Sequence, residues 1–74
     1  MKATEAVKAI LKAANMRHTT LCARAGIKPN VLAARLTQDN ISIDKLNEML
    51  RVLDYKIVIL PRDARIPEGG IEIE

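Results

Sequence analysis

Few side chains in this sequence could carry covalent chemistry. There is one histidine, His18, and one cysteine, Cys22. No carboxylates are paired at a useful spacing, and no glycine-rich loop is present to cradle a phosphate. An enzyme is not expected, nor a bound metal, nor a cofactor. His18 reads as a phosphate contact or a plain capping residue, and Cys22 as a small buried side chain where two helices cross. What remains is cationic and hydrogen-bonding chemistry, and it is concentrated between Arg17 and Gln38. The charge is unevenly spread: Met1 to Leu36 carries seven cationic side chains against Glu5 alone, whereas Tyr55 to Glu74 carries three against four acids, within a net charge of +3. A basic surface of that kind is what a phosphate-bearing partner needs.

The elements that must position these groups can be read from spacing. The stretch HTTLCARAGIKPNVLAARLTQ, His18 to Gln38, parses as a short helix ending near Ala25, a bend at Gly26 and a second helix opening at Pro29. Leu21, Cys22 and Ala25 fall on one face of the first helix, and Leu32 and Leu36 on one face of the second, at the helical period. Gly26 suits a left-handed bend, Ile27 turns inward, and Pro29 suits a first helical turn, where its missing N–H would be unpaired anyway. Lys28, Asn30, Ala33, Ala34 and Thr37 are left pointing outward. Two short helices meeting at a sharp angle, one face kept free, follow the logic of a helix-turn-helix whose second helix lies in a DNA major groove. On that logic Asn30, Ala33 and Ala34, with Pro29 beside them, are the candidate base contacts. Arg17, His18, Thr19, Thr20, Lys28, Thr37 and Gln38 are the candidate contacts to the DNA backbone.

The run LCARAGIKPNVL, followed by NISIDKLNEMLRVL, resembles the phage repressor and Cro-like helix-turn-helix family, also called the Xre family. The resemblance spans roughly residues 3 to 54, and its most specific part is the placing of Cys22, Gly26, Ile27 and Leu32. It implies a mainly α fold, a four-helix lambda-repressor-like domain. Arg35 stands where that family usually has an apolar residue, so its stem is expected on the core and its charge outside.

The flanking segments read as braces. Thr4 is a candidate cap for a first helix in which Val7, Ile10, Leu11 and Ala14 recur on one face, and Asn15 a candidate end. Ser42 is a candidate cap for a fourth helix, with Ile41 placed to staple onto Leu46, and Ile43, Leu46, Met49, Leu50 and Leu53 form the longest apolar stripe. After Asp54 the period changes. Lys56, Ile57, Val58, Ile59 and Leu60 form a β-branched run closed by Pro61, expected as a strand. Ile71 to Glu74, with Ile71 and Ile73 alternating with glutamates, reads as a second short strand. A lone strand needs a partner: either the same segment of a second molecule across a two-fold axis, or Ile71 to Glu74. Dimer-forming family members such as Cro carry a comparable strand.

At 74 residues the chain has room for one domain, a helical core over 3–54 and a C-terminal β dimerisation segment over 55–74. One aromatic residue, Tyr55, argues against stacking on single strands, and a single cysteine suits a reducing cytoplasm. No signal peptide or membrane span is expected. The leading functional expectation is a homodimeric, sequence-specific regulator of transcription, a repressor on double-stranded DNA with an inverted-repeat operator. The alternatives are the antitoxin of a toxin-antitoxin pair, which would also bind a toxin protein, and an adaptor that uses the helices for protein contact alone.

Overall fold

A computed structural model describes all 74 residues. Four helices follow one another: α1 (Ala3–Ala13), α2 (His18–Ala25), α3 (Pro29–Leu36) and α4 (Ile43–Val52). α1 and α2 each lie against both α3 and α4. The core is aliphatic, and each helix supplies one side chain that is essentially sealed: Val7, Leu21, Leu32 and Met49 are at most 1% exposed. Around these four pack Ile10, Leu11, Cys22, Ile27, Leu36, Leu46 and Leu50. No helix is long and apolar enough to cross a membrane.

Local chemistry explains most of the boundaries. α1 starts earlier than a Thr4 cap would allow, because the Glu5 carboxylate accepts the Lys2 N–H at 2.8 Å and closes the first turn there. Thr4 is instead buried inside that turn, and its hydroxyl donates to the Gln38 carbonyl at 3.2 Å. α1 ends as expected at a left-handed Asn15 (φ 53°), and because the turn tightens at Ala14, that residue is exposed rather than part of the apolar stripe. α2 ends at Gly26 (φ 68°, ψ 30°), after which the Ile27 N–H returns to the Cys22 carbonyl at 3.0 Å and drives the Ile27 side chain inward. Pro29 opens α3. In α4 the Ser42 hydroxyl accepts the Lys45 N–H at 3.3 Å, as its type predicts. Ile43 departs from the expected stripe: in the first turn it lies off the line of Leu46, Met49 and Leu50 and is 70% exposed.

The C-terminal expectation needs a larger correction. Neither Lys56 to Leu60 nor Ile71 to Glu74 forms a strand, and the two do not pair with each other. A strand is defined by its ladder, and nothing in the chain lies beside Lys56 to Leu60 to accept one: no backbone hydrogen bond involves these residues. Ile57 is half-buried against the helical core, whereas Val58, Ile59 and Leu60 are exposed. The tail instead turns at Pro61–Ala64 and Pro67–Gly70, and its end is tied back by a hydrogen bond from the Glu74 N–H to the Met1 carbonyl at 2.9 Å.

The Gly26 bend can be tested directly. A Cβ built there meets nothing within 4 Å, so the only obstacle to a side chain is the left-handed backbone. Gly26→Val should lower unfolding stability by at least about 1 to 2 kcal/mol, and Gly26→Asn by clearly less, because Asn tolerates that conformation. Urea midpoints compare the two; equal stability of Gly26→Val and the parent would remove the conformational argument.

Candidate nucleic-acid interface

α3 divides into two faces. Leu32 and Leu36 are buried, and Ile27 seals the near end. Asn30, Ala33, Ala34 and Thr37, spaced at i, i+3, i+4 and i+7, form one continuous exposed stripe, with Lys28 and Pro29 exposed at its start. Spacing alone located this stripe. It missed Val31, which is 38% exposed and adds an apolar shoulder; the signal was its place one residue before Leu32, a third of a turn off the buried line.

The other candidates gather at helix ends. Arg17 is the N-terminal cap residue of α2, with His18 and Thr19 exposed in the first turn and Thr20 half-buried. α2 and α3 share a property absent from α1 and α4. Neither has a side chain capping its N-terminus, neither has an acid in its first turn, and each begins at a cationic residue, Arg17 or Lys28. By contrast, Glu5 serves α1, while Ser42 and Asp44 serve α4. The amides of His18, Thr19, Asn30 and Val31 therefore remain without an intrachain acceptor, at ends where the helix dipole favours an anion. A shallow cleft beside α2 is lined by Arg17, Thr20 and Arg24 with Ala14, Asn15 and Met16. Arg24, i+4 from Thr20, is a cation that the motif-based reading did not single out.

Two candidates are less free than the sequence implied. The Thr37 hydroxyl donates to the Ala34 carbonyl at 2.9 Å, so its proton is engaged in closing α3. Gln38 is half-buried and its carbonyl is held by Thr4. Beside it Asp39 accepts from Lys2 Nζ at 2.9 Å; this hydrogen bond and the attached charges hold the Asp39 carboxyl below its ordinary range and the Lys2 ammonium above its own. His18 precedes Cys22 by one helical turn, yet His18 is exposed, Cys22 is sealed in the core, and no hydrogen bond joins them. No cluster of His, Cys, Asp or Glu has the makings of a metal site.

Arg35 requires the second correction. Its charge does not reach solvent: the side chain is 13% exposed, Nη1 lies 3.5 Å from Glu48 Oε1 on α4, and Nε and Nη1 are buried without a hydrogen-bond acceptor. The position faces α4 rather than the rim, so the head is trapped where the stem lies. Of the dimerisation candidates, Lys56, Val58, Ile59, Leu60, Ile71 and Ile73 are exposed and Ile57 alone is half-buried.

No protein-family model, no curated protein and no solved structure matches this chain. The functional reading rests on the geometry above.

The Arg35–Glu48 pair gives an asymmetric prediction. Arg35→Met keeps the packed stem and removes an under-satisfied charge, leaving a half-exposed Glu48 to water, so stability should hold or rise. Glu48→Gln leaves the buried guanidinium without its counter-charge and should cost about 1 to 2 kcal/mol, discounted for the exposure of Glu48. Urea unfolding of the two variants is the measurement, and the reverse order would refute the account.

Proposed function

We propose that this chain is a sequence-specific double-stranded DNA-binding regulator of the phage repressor and Cro-like kind, acting as a homodimeric repressor. α3 is the recognition helix, and it enters the major groove with the Asn30, Ala33, Ala34 and Thr37 stripe toward the bases. Asn30 is the hydrogen-bonding reader, best matched to the exposed edge of adenine, and Ala33 and Ala34 offer methyl contact to thymine. Lys28, Arg17, His18, Thr19 and the free amides at the starts of α2 and α3 take the flanking phosphates.

The observation that carries this reading is the pairing of two features on adjacent helices. The exposed face of α3 is polar, small and free of acids, and the N-termini of α2 and α3 are the two helix starts left without a side-chain cap or an acidic residue. An adaptor for protein partners would gain nothing from uncompensated anion-seeking ends. A polyanion uses both. Two copies, joined through the exposed aliphatic residues that follow α4, would set their recognition helices about one turn of DNA apart, which requires an inverted repeat.

Selection of bound fragments from random DNA, followed by titration at several salt concentrations, tests the reading. Asn30→Ala should cost about 1 to 3 kcal/mol per half-site on the selected sequence and relax preference at one base position. Lys28→Ala should weaken all sequences alike and reduce the salt slope by about one per half-site. Selection that yields no enriched sequence, or Asn30→Ala with an unchanged preference, would reject the assignment.

A further inference from the structure

The segment after α4 is bare in two respects at once. The backbone N–H and C=O groups of Lys56 to Leu60 have no partner in the chain, and Ile59 is 97% exposed although its neighbour on the same face, Ile57, is packed on the helical core. We propose that this segment pairs antiparallel with its own copy in one register, the one that sets Val58 against Val58 of the second copy. The proposal rests on the paired-chain part of the reading above and is independent of DNA contact.

Symmetry limits the choices. In an antiparallel ladder hydrogen-bonded and non-hydrogen-bonded pairs alternate, so a two-fold axis must pass through a residue facing its own counterpart. Within this run the axis can fall on Ile57, Val58 or Ile59. Centred on Ile59, the register opposes Lys56 to Arg62, two cations, and sets Ile57 against Pro61. Centred on Ile57, it sets Asp54 against Leu60 and joins no opposite charges. Centred on Val58, it opposes Asp54 to Arg62 at both ends and Ile57 to Ile59 on one face, all by sequence position.

The burial pattern agrees with the Val58 register. Side chains alternate along an extended chain, so Ile57 and Ile59 share a face. Ile57 marks that face as the one turned to the core. Within one chain Ile59 runs past the edge of its own helices and remains in water. In the paired form it lies beside Ile57 of the second copy, over the margin of that copy's core, and the exchange is reciprocal. Pro61, which lacks an N–H, falls near the end of the ladder opposite Tyr55, where a missing donor costs least.

Single-cysteine variants of the full chain read the register, Cys22 being buried. Under mild oxidation Val58→Cys should form a disulfide-linked dimer at least about tenfold faster than Ile57→Cys or Ile59→Cys alone, and an equimolar mixture of the latter two should link to each other. Faster self-linking of Ile57→Cys or Ile59→Cys would overturn the register. Independently, Arg62→Asp should raise the dimer dissociation constant about tenfold or more at low salt. Mixing it with Asp54→Lys should restore association, since every cross-strand charge pair is then matched. The strain of a lysine at the left-handed Asp54 is present in free and paired chains alike and cancels. Absence of rescue by mixing would refute the Asp54–Arg62 contact. A parent chain that sediments as a monomer while still enriching a DNA sequence would reject pairing and leave the DNA reading standing.

Discussion

α3 has to be anchored and uncovered at the same time, and the rest of the molecule follows from that demand. It is eight residues long, too short to persist alone in water. Its hold on the protein is two leucines, Leu32 and Leu36, with Ile27 leading in. Those side chains must therefore enter a socket that is already rigid, and α1, α2 and α4 build it around Val7, Leu21 and Met49. The Gly26 bend fixes where α3 leaves α2, and the Thr4 and Lys2 contacts to Gln38 and Asp39 tie down the chain where α3 ends. Both ends being held, the exposed stripe needs no packing of its own.

The electrostatic design is uneven in the same way. Side-chain capping and a first-turn acid each stabilise a helix by an amount that is substantial in a small domain. α1 and α4, the braces, have these features, whereas α2 and α3 begin at Arg17 and Lys28 and have neither. Local stability is thus forgone on the two helices that flank the candidate surface. Departures from local consistency of this sort tend to gather where a ligand completes the missing interactions. Arg35 fits less well into this picture. It lies between α3 and α4 with buried N–H groups unmatched, a cost whose only visible return is the link to Glu48.

The helical part of the fold was legible because its signals are local. Gly26 followed by Ile27 and Pro29, Ser42 before α4, and Asn15 after α1 each act through their own backbone, and each appears where its type places it. The misreadings involve residues whose fate is decided by another element. Thr4 lost its capping role because Glu5 closes the turn from within and Gln38 offers its hydroxyl an acceptor. Ile43 matched an apolar stripe in composition but not in angle. Arg35 was assigned an exit to solvent that α4 closes. For the candidate interface, periodicity separated Leu32 and Leu36 from Asn30, Ala33, Ala34 and Thr37, but it could not reveal that the Thr37 hydroxyl is engaged or that Val31 shares the exposed side.

The β-branched run after α4 shows the limit most clearly. Its composition favours an extended chain, and Lys56 to Leu60 contains no helix; the ladder is missing because a ladder belongs to two segments and the chain supplies one. A domain of 74 residues buries a modest share of its surface, so leaving Val58, Ile59 and Leu60 in water weighs heavily on it. Covering them by association would couple stability to concentration, since any partner that binds only the folded chain stabilises it by mass action. The same contact would also set the distance between two copies of α3, because Ile57 is packed on the core and the segment leaves α4 through the fixed turn at Leu53 and Asp54. Spacing of the reading heads and stability of the fold would then depend on one short stretch of aliphatic chain.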